Sequence, residues 1–134
     1  MSLEAGRRER EGVVILDLEG RLTAGEEAAR LRETLRELGA AGAHRIVLNL
    51  RGVDYIDSTG LGALVICYTS LMKAGGKLAL LNLNRRNIEL LVYTKLATVF
   101  EIFNDEQEAV NSYFPDREIK RFDILSFVQE QAQD

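Results

Sequence analysis

The residues of this sequence best suited to chemistry lie together in Asp54-Tyr55-Ile56-Asp57-Ser58-Thr59-Gly60-Leu61-Gly62. Two hydroxyls and two carboxylates share a short glycine-bearing stretch, a composition that suits a catalytic nucleophile, a phosphate cradle or a modification site. Spacing removes the catalytic readings. A nucleophile elbow needs glycine two residues before its serine, and position 56 is Ile. An aspartic-protease loop needs Asp, then Ser or Thr, then Gly, and one residue too many intervenes here. No Gly-Lys-Ser/Thr follows the glycines, so there is no P-loop. A Ser–His pair would need His44, the single histidine. About eight extended residues at roughly 3.3 Å each hold it well over ~20 Å from Ser58. One cysteine, Cys67, excludes an internal disulfide and every multi-cysteine zinc site. No cofactor or metal is expected, and the only carboxylates on offer as a base are Asp54 and Asp57.

Physical chemistry gives the same segment a different use. Asp57, Ser58 and Thr59 are all good N-cap types, so a helix start is over-determined there. From Ser58 to Met72 no residue is charged. Such a helix is either buried on nearly all sides or presents an apolar contact face. Gly60 and Gly62 fall in its first turn, where they lower helix propensity but permit close approach of a partner. A hydroxyl at such a helix start, at the tip of a surface loop, is accessible to another protein.

The elements that position this loop follow from periodicity. Val13 to Leu18 is a short β-branched strand closed by Glu19-Gly20, with Arg7 to Arg10 as an edge strand before it, turning at Glu11-Gly12. Thr23 followed by Glu26 reads as a capping box, opening a helix with Ala28, Leu31, Leu35 and Leu38 on one face and ending at Gly39 to Gly42. Ile46 to Leu50 reads as a central strand buried on both faces. It continues through Ile56 into the hydroxyl loop and the uncharged helix, whose stop is Gly75-Gly76. A strand from Lys77 to Leu83, a helix capped by Asn84 and running to Thr94, a strand from Val99 to Phe103 and a helix from Asp105 to Phe114 complete the alternation. The expected fold is α/β: a mixed, mostly parallel sheet of four to five strands packed with about four helices. Residues 1–114 form the domain. Residues 115–134 form an extension whose apolar content (Ile119, Phe122, Ile124, Leu125, Phe127, Val128) suits a short helix docked on the domain or swapped with a second copy as a homodimer.

Composition bounds the partners. The 134 residues carry 17 basic and 21 acidic side chains, a formal net charge of −4, which disfavours direct nucleic-acid binding. No run of 18 apolar residues is present to span a membrane, and the mixed charges of Arg7 to Glu11 do not make a signal peptide. A cytoplasmic protein is expected; Met1-Ser2-Leu3 is given no functional weight.

The order of elements together with Asp57-Ser58-Thr59-Gly60-Leu61-Gly62 resembles the STAS domain family, over roughly residues 8–113. Leu16 to Gly20 with Arg21-Leu22-Thr23, the Ile46 to Leu50 strand, and Leu96 to Phe103 carry the rest of the likeness. The resemblance implies a bacterial anti-sigma factor antagonist and no enzyme. Its small members bind, when unphosphorylated, an anti-sigma factor that is itself a serine kinase, and so release a sigma factor. The kinase phosphorylates the motif serine, Ser58 here with Thr59 as the lesser candidate, and a PP2C-type phosphatase reverses it. The partner surface it implies is Thr23, Asp57, Ser58, Thr59, Gly60, Leu61 and Gly62. Thr23 stands where the family often has Asp, and Asn49 where it commonly has Asp. Two other readings use the same fold: a scaffold subunit of a large signalling assembly, and an accessory domain of a lipid- or ligand-transport system. Away from the loop, Cys67 and Tyr68 read as core, His44 and the arginines at 7, 8 and 10 as solvated. Arg85 and Arg86 open a helix at the end its dipole disfavours for cations, and no role is assigned to them.

Overall fold

A computed structural model describes residues 3–133; Met1, Ser2 and Asp134 lie outside them. The chain runs β1 (Glu4–Arg10), β2 (Val13–Leu22), α1 (Glu26–Ala40), β3 (Arg45–Ile56), α2 (Ser58–Lys73), β4 (Lys77–Leu81), α3 (Arg85–Tyr93), β5 (Glu101–Phe103), α4 (Glu106–Asn111) and α5 (Ile124–Gln133). The strands form one sheet in the order β1-β2-β3-β4-β5. β1 and β2 are antiparallel and the other pairs are parallel. The expected α/β fold, mixed and mostly parallel, is therefore the observed one.

Sequential strand order has a consequence for the layers. Parallel crossovers are right-handed, so with no reversal of order α1, α2 and α3 all fall on one face. Leu31, Leu35 and Leu38 of α1, Leu64, Cys67 and Leu71 of α2, and Ile88 and Leu91 of α3 pack there on Leu16, Leu18, Ile46, Leu48, Leu50, Leu78 and Leu80. The opposite face, with Val13, Ile15, Val47, Ala79 and Phe103, is covered by Ala109 and Val110 of α4. The Ile46 to Leu50 stretch of β3 is buried on both sides, with Asn49 alone half-buried.

Several boundaries move, each for a local reason. Thr23 is not the cap of α1. Gly25, at φ 91°, bends the chain there, no side chain caps the helix, and Thr23 contributes its carbonyl to the Ala28 N–H. β4 stops at Leu81 because Asn82 turns left-handed at φ 60°. β5 shrinks to three residues because Leu96 to Phe100 close a turn on the Leu96 carbonyl. The arginines of β1 are not simply solvated: Arg8 pairs with Asp17 and Glu106, both at 2.6 Å, and Arg10 pairs with Glu106, tying the edge strand to α4. His44 is half-buried at the start of β3, with its Nδ1 unpartnered among the described residues.

The extension lies on its own chain. The Phe122 N–H donates to the Ile102 carbonyl at 2.8 Å, Arg121 pairs with Glu101, and Phe122, Ile124 and Phe127 pack against the core. Leu125 on α5 remains 68% exposed.

Candidate functional site

The site forms where β2 and β3 end side by side, with Leu22 paired to Ile56. Asp57 follows as the N-cap of α2, and its two oxygens do different work. Oδ1 accepts the Gly60 N–H at 2.8 Å, the ordinary capping bond. Oδ2 accepts the Ala24 N–H at 3.0 Å, in the loop leading to α1. The Asp57 N–H itself donates to the Leu22 carbonyl. One carboxylate thus clamps two loops together, and both its oxygens are occupied.

Gly60 completes the lock. A Cβ there would lie 2.0 Å from the Leu22 carbonyl oxygen, so only glycine lets α2 start against the end of β2. Gly60 and Leu61 are both buried, with Leu22 and the core as their surroundings. Pinning these two inward leaves Ser58 and Thr59 exposed on the opposite side of the first turn. At Gly62 an added Cβ would meet nothing within 4 Å, so that glycine borders open space. Thr23 is half-buried next to the clamped Ala24. The loop therefore gathers Thr23, Asp57, Ser58, Thr59 and Gly62 at one end of the sheet. The uncharged helix behind it buries Leu64, Cys67 and Leu71 and shows Ile66 and Met72, each 50% exposed. Its lack of charge thus serves both a core face and an apolar outer face.

Sequence reasoning missed one part of this site. Ser58 lines an open hollow of about 380 Å³ with Tyr55, Ile56, Asp57, Arg86, Glu89, Leu90 and Tyr93. The Arg86 guanidinium lies 5.6 Å over the Tyr55 ring, and Tyr93 is 88% exposed. The signal was present in the two arginines opening α3. What they stand beside was not legible, because β3 and α3 meet only in three dimensions. Glu89 and Tyr93 also line a separate groove of about 260 Å³ bordered by Phe127 and Val128 of α5.

The other candidate groups lie elsewhere. Cys67 is buried between α1 and α2, and burial pushes its thiol up to about 11, in keeping with a core residue. Tyr68 meets Phe100 edge-on at 5.3 Å. His44 and Ser58 stand at opposite ends of β3. Asn49 donates to Asp17 at 2.7 Å and accepts from Asn82, extending the Arg8–Asp17 pair across the sheet. Among the described residues no group of three or more His, Cys, Asp or Glu gathers to hold a metal ion. No helix among them is long and apolar enough to cross a membrane.

Residues 5–109 match the family model of the STAS domain. The chain belongs to the STAS domain family. This STAS domain is 33% identical over 102 residues to the anti-sigma-B factor antagonist of Bacillus subtilis strain 168, covering 76% of this chain and 92% of the relative. It is 26% identical to the anti-sigma F factor antagonist of Paenibacillus polymyxa, over 82% of this chain and 94% of that one. A solved Thermotoga maritima protein superposes with a TM-score of 0.75 at 28% identity, covering 81% and 92% of the two chains. The matched region ends inside α4, so α5, which borders the neighbouring groove with Glu89 and Tyr93, lies outside it.

Proposed function

We propose that this STAS domain is a cytoplasmic anti-sigma factor antagonist controlled by phosphorylation of Ser58. Unphosphorylated, it binds an anti-sigma factor that is a serine kinase, and the sigma factor is released. The kinase joins Ser58 Oγ to the γ-phosphorus of ATP; ADP leaves and the hydroxyl proton passes to a base of the kinase. A PP2C-type phosphatase restores the hydroxyl. The relatives' names support the general role. The observation that carries the site assignment is the exposed Ser58 hydroxyl on a first turn held rigid by Asp57 and Gly60.

In this reading Thr23, Ser58, Thr59 and Gly62 meet the partner, while Asp57, Gly60 and Leu61 set the shape they present. The switch needs no refolding. A phosphate adds about −1.5 to −2 charges and three acceptor oxygens, and at a helix N-terminus that charge is locally tolerated. Inside an interface beside Asp57 it must be desolvated, and a buried charge left imperfectly paired costs about 3–5 kcal/mol. A hundredfold loss of affinity needs only about 2.7 kcal/mol.

Mass spectrometry after incubation with the cognate kinase and ATP should place one phosphate on Ser58. By calorimetry, Ser58→Ala should bind the kinase and resist modification, and Ser58→Asp should stay folded and lose at least tenfold in affinity. Capture of the partner by Ser58→Asp at wild-type affinity would refute the mechanism.

A further inference from the structure

We propose that Arg86 receives the phosphate of modified Ser58 in cis, so that the modified side chain folds along its own surface and pairs with the Arg86 guanidinium. This rests on the reading of Ser58 as the modified residue and adds a second residue to the switch.

Three observations carry it. Ser58 and Arg86 line the same open hollow, one from the start of α2 and the other from the first turn of α3. Arg86 is exposed and lies over the Tyr55 ring. A guanidinium held by cation–π attraction to a ring still has N–H donors to offer, in the planar fork that grips two phosphate oxygens at once. Among the described residues, no carboxylate pairs with Arg86, whereas Arg85 beside it is engaged by Glu89.

The other charges facing the hollow are already committed. Asp57 accepts two backbone N–H groups, and Glu89 pairs with Arg85. Tyr55 and Tyr93 contribute phenol groups. Among the described residues that line the hollow, the cation a phosphate on Ser58 meets is therefore Arg86. A lone cation in the first turn of a helix is mildly disfavoured by the dipole, and an anion bound between the two elements reverses that relation.

The consequence is a switch with two components. In the unmodified protein the Arg86–Tyr55 cation–π pair is part of the surface beside Ser58, a cationic contact for an acidic side chain of the partner. Phosphorylation adds an anion and withdraws that cation at the same time.

The test places phosphoserine at position 58 by genetic code expansion, which removes dependence on any kinase, and follows the second phosphate ionisation by phosphorus NMR. Free phosphoserine ionises near pH ~6. In the otherwise wild-type protein the transition should fall at least half a pH unit lower. Arg86→Gln should bring it back toward the free value, Arg86→Lys should restore part of the shift as a point charge, and Arg85→Gln should leave it in place. Circular dichroism confirms that each surface variant is folded. An identical transition in the Arg86→Gln and wild-type phosphoproteins would overturn the proposal. A kinase that leaves Ser58 unmodified would instead refute the function proposed above, with this titration still readable.

Discussion

Gly60 and Gly62 are two residues apart in one helical turn, and the structure gives them opposite consequences when a methyl group is added. At position 60 the new Cβ falls 2.0 Å from the Leu22 carbonyl oxygen, 2.7 Å from its carbon and 2.9 Å from Leu22 Cγ. The first two obstacles are backbone, so no rotamer relieves them. Restoring an ordinary contact requires the start of α2 to retreat by about 1.4 Å from β2, which strains the Asp57 bonds to Leu22 and Ala24. Overpacking of this kind costs about 1–3 kcal/mol, and a lost hydrogen bond adds about 1 kcal/mol. The better helix propensity of Ala returns about 1 kcal/mol. Gly60→Ala should therefore destabilise by about 1–3 kcal/mol, the sum of these terms. Gly62→Ala meets nothing within 4 Å and should stabilise by about 0.5–1 kcal/mol through helix propensity and a less flexible unfolded chain. Urea unfolding followed by circular dichroism measures both. For a chain of this size the two variants should differ in Tm by about 10 °C. Gly60→Ala at wild-type stability, or Gly62→Ala less stable than the parent, would refute the claim that one glycine serves the fold and the other the open surface.

Asp57→Ala should cost about 1–2 kcal/mol, because it removes an N-cap; amide exchange should quicken at both Ala24 and Gly60, and quickening at Gly60 alone would show that the bridge to the α1 loop is idle. Acid should weaken the protein through its paired carboxylates. The Arg8 hydrogen bond holds Asp17 and Glu106 below their ordinary values of 3.8 and 4.5; at Glu101, burial pushes upward but is outweighed by Lys77 and Arg121. Groups lowered in the folded state contribute stability that is complete above their ordinary values and lost as pH falls through the lowered ones. Tm should thus hold from pH 7 to about 5 and fall below about 4.5, with a shallower fall in Arg8→Gln; a flat profile down to pH 3 would contradict this. Cys67, with its thiol near 11, should be about one part in a thousand thiolate at pH 8, so a maleimide should modify it far more slowly than free cysteine. Labelling at the free-cysteine rate would show that the α1–α2 contact opens readily.

Much of this protein is written locally. β3 was legible because an apolar run buried on both faces needs no partner to be recognised, and α2 because three N-cap residues precede an uncharged helix. Asn84 and Asp105 cap their helices as expected, accepting the N–H groups of Asn87 and Glu108. The Thr23 capping box failed for a reason local rules do not contain. The Ala24 N–H is taken by Asp57, 33 residues away, and Gly25 turns the chain before the helix can start. Arg8 lies on the exposed edge as expected, but its pairing with Glu106 was not legible, since that residue lies 98 positions on.

The division follows from the range of the forces involved. Periodicity, capping and the hydroxyl motif act within a few residues, and they determined the α/β alternation and the place of Ser58 on a first turn. Which side of that turn faces outward was decided by the Leu22 carbonyl against Gly60, and what stands beside Ser58 was decided by α3 bringing Arg86 over Tyr55. Both are contacts between segments distant in sequence, and only the packing of the crossovers on one face of the sheet creates them.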